Sequence, residues 1–159
     1  MEFREGGMVV VPGCGVGQIE DIEVVQMDDI TVSMYRIVVE GDVRIWVPTA
    51  TARLQGIRRP VAEERVQALL DAVRDTTAPT ERATWNRRQR RYTEQLMSND
   101  PLQLAELLGE LASVRSRKAL SFGERRLFDR AVTLLGGELR VAAEDPASVE
   151  EALAEALAA

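Results

Sequence analysis

The sequence predicts two modules: a small antiparallel β-barrel followed by a compact all-α half. Three observations carry that prediction. The hydrophobic period changes from two to helical near Pro60. Short β-branched runs separated by turn residues precede that point, and apolar stripes opened by capping signals follow it. Charge is also segregated along the 159 residues, whose net charge is −6.

In the first half, Met8-Val9-Val10-Val11 runs into the turn cluster Pro12-Gly13-Cys14-Gly15, and residues 16–19 resume the apolar pattern. Further strands are expected at 21–27, 31–39 and 43–47, separated by Asp28-Asp29 and Glu40-Gly41-Asp42. Closely spaced short strands suggest a small barrel, here bounded at residues 1–58. A module this small buries only about 60% of its unfolded surface, so its stability is marginal unless it is docked.

The second half, residues 59–159, reads as helices. Val61, Val66, Leu69, Leu70 and Val73 make one stripe, ended by Thr76-Thr77-Ala78-Pro79. A second helix is expected over 84–97. Asp100-Pro101-Leu102-Gln103 resembles a capping box opening a helix through about Ala112. Ser121-Phe122-Gly123-Glu124 is another, ahead of Leu127, Phe128, Val132, Leu134 and Leu135. Asp145-Pro146 opens a last helix with Val149, Leu153 and Leu157 at i, i+4, i+8.

Composition excludes much chemistry. The chain has no histidine, one cysteine (Cys14) and one lysine (Lys118), which removes the usual zinc spacings, Ser-His-Asp and Cys-His catalysis and an intramolecular disulfide. Glu63-Glu64 and Glu150-Glu151 fall on helical stripes without a surrounding polar constellation, so no enzyme is expected. Gly13, Gly15 and Gly17 read as a hairpin requiring positive φ, not a nucleotide loop, because strand residues follow them. No apolar run approaches the ~20 residues of a membrane span, and the N-terminus lacks a signal-peptide layout. A reducing cytoplasm is the expected compartment.

Two segments stand out. In Val43-Arg44-Ile45-Trp46-Val47-Pro48, strand alternation puts Val43, Ile45 and Val47 on one face and Arg44 and Trp46 on the other. Trp and Arg are enriched at protein–protein hot spots. Trp46 fits two roles equally: an outward partner contact, or packing beneath the helical half. The second segment, residues 82–92, carries five arginines, Trp85, Tyr92 and no acid. It lies within residues 76–130, which hold seven acidic and eleven basic side chains, whereas residues 131–159 hold six acidic and one basic. Arginine offers phosphate a planar fork as well as charge. At the head of such a helix Trp85 reads either as a wedge against unstacked bases or as a core anchor. Arg115, Arg117, Lys118, Arg125, Arg126 and Arg130 form a second basic cluster expected to adjoin the first.

These motifs, in this order, resemble the CarD/CdnL family of bacterial transcription regulators. The carriers are Phe3-x-x-Gly6, Val9-Val10-x-Pro12-x-x-Gly15-Val16-Gly17-x-Ile19, Arg44-Ile45-x-Val47-Pro48, Thr84-Trp85-Asn86-Arg87-Arg88 and Leu120-Ser121-Phe122-Gly123-Glu124-Arg125. The resemblance implies a Tudor-like N-terminal barrel, shared with transcription-repair coupling factors, that binds the RNA polymerase β subunit. Arg44, Trp46 and Pro48 are its expected contact residues. It further implies a helical domain on promoter DNA at the upstream edge of the bubble, which stabilises the open complex without enzymatic activity or cofactor. Trp85 matches the wedging tryptophan, and Arg87 and Arg88 match the adjoining basic positions. Arg91, Arg125 and Arg126 complete the expected DNA-binding set. Some relatives carry arginine at the positions of Trp46 and Val25, and an aromatic at that of Gln89.

The sequence thus predicts a transcription regulator, monomeric on polymerase and reaching the nucleoid through it. The alternative is a protein-only adaptor whose helical half binds a second protein and whose arginines are solvated.

Overall fold

The computed structural model describes residues 2–79 and 83–158, in two compact units that divide between Pro60 and Val61. The first unit is a four-stranded antiparallel sheet in the order β1 (Met8–Val11), β2 (Gly15–Met27), β3 (Ile30–Val39), β4 (Val43–Pro48), curled into a half-barrel. Gly13 and Gly15 in the first turn have φ of 76° and 94°, the left-handed conformation that glycine tolerates. Gly17 is needed for a different reason: a Cβ there would stand 2.7 Å from Ile37 Cγ2.

The apolar runs 16–19 and 21–27 form one continuous strand rather than two. The register against β3 slips between Ile19 and Asp21, so Glu20 is the extra residue of a bulge. A bulge bends its strand and sharpens the twist. Here it lets the start of β2 line the core while its far end runs out with β3 as an arm, where Val24, Met27 and Ile30 are exposed. The core holds Phe3, Val9, Ile19, Tyr35, Ile37 and Val47. The Tyr35 hydroxyl accepts from Phe3 N at 3.2 Å, and the two rings meet edge to face. Beyond β4 the chain returns to β1, where Val10 N donates to Arg58 O at 2.7 Å and covers that edge. On β4, Val47 is buried and Ile45 partly so, but Val43 is exposed, because it opens the strand directly after the Gly41–Asp42 turn.

The second unit opens with a single 3-10 turn, Glu63–Arg65, and five helices: α1 (Val66–Asp75), α2 (Trp85–Met97), α3 (Pro101–Arg115), α4 (Phe122–Ala142) and α5 (Pro146–Ala158). α3 is apolar on nearly every side and is central: Leu104, Ala105, Leu107, Leu108 and Leu111 are all buried. It runs three residues past the expected end, and this last turn buries Val114. Gly109 lets α1 close on it, since a Cβ there would lie 2.6 Å from Val73 O.

Asp100 caps α3 through Leu102 N at 3.0 Å, ahead of Pro101, rather than through a full capping box. At α4 both halves of the box form: Glu124 N donates to Ser121 Oγ at 3.2 Å and Ser121 N to Glu124 Oε1 at 3.0 Å. Asp145 caps α5 from Ser148 N at 3.3 Å. The buried Glu138 carboxylate accepts from Val61 N at 2.8 Å, pinning the entry of this unit to the last third of α4. Among the described residues no helix is long and apolar enough to cross a membrane.

Candidate nucleic-acid and protein interfaces

In the helical unit Trp85 is the first residue of α2, following Thr84, whose side chain makes no capping hydrogen bond. Its indole is partly buried and packs against the helical core while the remainder meets solvent. The ring edge rests on Gly123, the second residue of α4, where a Cβ would lie 2.8 Å from Cζ2 and 3.3 Å from Cη2. One turn along α2, the Arg88 guanidinium sits 5.4 Å from the ring centre and donates to Ala83 O at 2.7 Å. Arg88 Nε is buried with no acceptor among the described residues. The ring is therefore clamped on one edge and along one side. Both helices begin here, so two positive helix ends add to the local potential.

Around this ring the arginines separate into two kinds. Arg87, Arg90 and Arg125 are exposed and have no ion-pair partner among the described residues. Arg126 is exposed with its guanidinium 5.8 Å from the ring of Phe122, an aromatic that is itself 78% exposed. Arg91 instead pairs with the nearly buried Glu110 of α3, which also accepts from the Tyr92 hydroxyl at 3.1 Å. For Arg91 the counter-charge thus arrives from another helix rather than from the run itself. Arg82 lies outside the described residues.

The second cluster divides likewise. Arg126 and Arg130 line a groove of about 590 Å³ between α2 and α4 that reaches Gly123. Arg115 stacks 4.7 Å from the Phe128 ring and donates to Leu157 O, and Arg117 donates to Ser113 Oγ at 3.2 Å. Arg115 thus ties α3 to α4 and α5, whereas Arg117 bonds back to α3 itself. Phe122 was legible only as part of a capping motif, because N-terminal helix positions carry no burial signal in a periodic pattern.

In the sheet unit Trp46 is 49% exposed on β4, opposite Arg36 of β3. Its Nε1 donates to Glu23 Oε2 at 3.1 Å. The other Glu23 oxygen accepts from Arg36, whose Nε donates to Glu20 Oε2 at 3.0 Å. Arg44 completes the ladder, donating from Nε to Glu20 Oε2 at 3.0 Å and from Nη1 to Asp42 Oδ1 at 3.2 Å. Hydrogen bonding from Arg44, then from Arg36, holds the Glu20 carboxyl below its usual range, and the same Glu20 contact raises Arg44. Pro48 ends the strand, partly buried. The roles of Glu20 and Glu23 were missed because the bulge at Glu20 breaks the alternation from which side-chain faces are read. No group of three His, Cys, Asp or Glu side chains among the described residues is placed to hold a metal ion.

A family model described as the CarD-like/TRCF RID domain matches residues 3–61, and one described as the CarD, C-terminal domain matches residues 68–155. Sheet unit and helical unit together define an RNA polymerase-interacting transcription factor. The chain belongs to the CarD/CdnL family, whose members are transcription factors rather than enzymes.

Proposed function

We propose that this protein tethers itself to the RNA polymerase β subunit through Arg44, Trp46 and Pro48, and stabilises the open promoter complex from the helical unit. Trp85 stands at the upstream edge of the bubble. Arg87, Arg88, Arg125 and Arg126 hold the adjoining phosphates, with Phe122 beside them. Arg91 adds only the N–H groups that its pairing with Glu110 leaves over. The protein acts as a monomer on polymerase, in the cytoplasm, and reaches the nucleoid with it.

One observation carries this reading: a clamped, partly exposed indole at the shared start of α2 and α4, flanked by arginines that have no ion-pair partner among the described residues, in an otherwise acidic chain. Phosphate contacts alone position a protein and do not distinguish closed duplex from fork. An indole that stacks where a base has left gains its contact only in the open state, and by linkage favours that state. The net charge of −6 makes free DNA binding weak and salt-sensitive, and tethering offsets this through effective concentration.

The test is the lifetime of open complexes formed with full-length protein. Stacking is worth ~1–3 kcal/mol per base, so Trp85→Ala shortens the lifetime roughly fivefold or more. Co-purification with polymerase is unchanged in that variant. If the helical unit instead binds a second protein, the lifetime stays the same and fork DNA binds no better than blunt duplex.

A further inference from the structure

Apart from Arg126 on its rim, the groove between α2 and α4 has no role in the contacts described so far. It begins at Gly123, under the edge of Trp85, and runs past Gln89 and Leu127 to Leu96 and Thr133. Gln89 is one turn beyond Trp85 on α2, so the groove leads away from the ring along the same face. Its apolar side chains are Leu96 and Leu127, both only partly buried and on opposite walls, while Arg126, Asp129 and Arg130 stand with Leu127 on the α4 wall. Two leucines between cations make a poor seat for an amphipathic protein helix, which presents an apolar stripe over several turns.

We infer that this groove receives the first nucleotides of the strand displaced at the fork. The inference rests on the promoter-fork reading of Trp85 proposed above. A strand parted by the indole must leave the duplex at that point, and the groove opens there. Single-strand sites combine a cationic track for the backbone with surfaces on which base faces lie. Here Arg126 and Arg130 supply the track, and Leu127 and Leu96 the surface.

Asp129, also on the groove wall, sets the orientation. A carboxylate repels phosphate but accepts from the exocyclic amino group of a base. Bases therefore turn inward, and phosphates stay at the arginine rim. Gln89 and Thr133 supply further donors and acceptors that any base edge can use.

The experiment measures anisotropy of full-length protein on two labelled forks at one low salt concentration. One fork carries a three-nucleotide displaced strand, and the other ends at the junction. Wild type is expected to bind the longer fork about tenfold more tightly, equivalent to about 1.4 kcal/mol. Thr133→Glu is an exposed change on α4, ten residues beyond Gly123. It should bind the junction fork as wild type does, yet lose most of the gain from the displaced strand, with an unchanged melting temperature.

Equal wild-type affinity for the two forks overturns the inference while leaving the Trp85 reading in place. A full gain retained by Thr133→Glu overturns it as well, because the strand is then held elsewhere. If neither fork binds better than blunt duplex, the fork reading itself fails and the inference fails with it.

Discussion

Gly123→Ala is the most informative single change, because it adds one methyl group beneath Trp85 and touches nothing polar. The new Cβ would lie 2.8 Å from Cζ2 and 3.3 Å from Cη2, with Cε2 at 3.9 Å. Carbon atoms settle at about 3.5–4.0 Å, so the ring must move by roughly 1 Å. It can do so, since the indole is only partly buried and its outer part faces solvent. Gly123 is the second residue of α4, where alanine gains less over glycine than the about 0.5–1 kcal/mol of a helix interior, so it offsets only part of the lost packing on the ring edge. The melting temperature should therefore change little. Open-complex stabilisation should fall, because a displaced ring meets the fork out of register. Losing part of a contact worth ~1–3 kcal/mol predicts a lifetime shortened about three- to tenfold. In a Trp85→Ala background the same change should add less than about 0.5 kcal/mol, since the two act through one ring. An unchanged lifetime in a folded Gly123→Ala protein would refute the reasoning. So would a melting temperature that collapses along with the lifetime, for then the ring is a core element rather than a positioned wedge.

Other outcomes follow from the same contacts. Glu23→Gln keeps the size of the side chain but removes the charge that holds both Trp46 and Arg36. It should weaken polymerase pull-down in the same direction as Trp46→Ala, whose own loss should exceed ~1 kcal/mol if it is a hot spot. Arg91→Ala leaves the buried Glu110 with Tyr92 as its remaining side-chain partner. It should destabilise the protein by about 1–3 kcal/mol in a denaturant titration, while reducing the salt slope of fork binding less than Arg87→Ala does. Truncation after Arg140 removes Val149, Leu153 and Ala156 from the core, so the helical transition should move to markedly lower temperature. The Glu20 carboxyl is depressed below its usual 4.5, so its stabilising contribution is complete above that value and is lost as pH falls through the lower folded value. With no histidine in the chain, the stability of the protein itself should be nearly flat from about pH 6 to 7 in a denaturant titration, and a step in that window would contradict the ladder described here.

The two-module order, the change at Pro60 and most helix boundaries were determined by the sequence alone, because they depend on short-range effects. Period-two and helical spacing decide which element can bury a face, and Ser121-Phe122-Gly123-Glu124 forms its box from neighbours three residues apart. That Trp46 and Arg44 share one strand face was legible for the same reason, whereas what that face meets was left open. Tertiary structure decided what depends on partners distant in the chain. The merging of two apolar runs into β2 requires β3 to pair on both sides of Glu20, and no local pattern reports a bulge whose partner strand is ten or more residues away. Arg87 and Arg91 are alike in sequence. Only the approach of α3 gives one of them a buried carboxylate and leaves the other facing solvent. The seat of Trp85 is likewise a meeting of two helix starts 37 positions apart, made possible by the missing side chain at Gly123. A residue's type sets what it can do. Which of those contacts it makes depends on the free energy of packing against groups that sequence spacing does not encode.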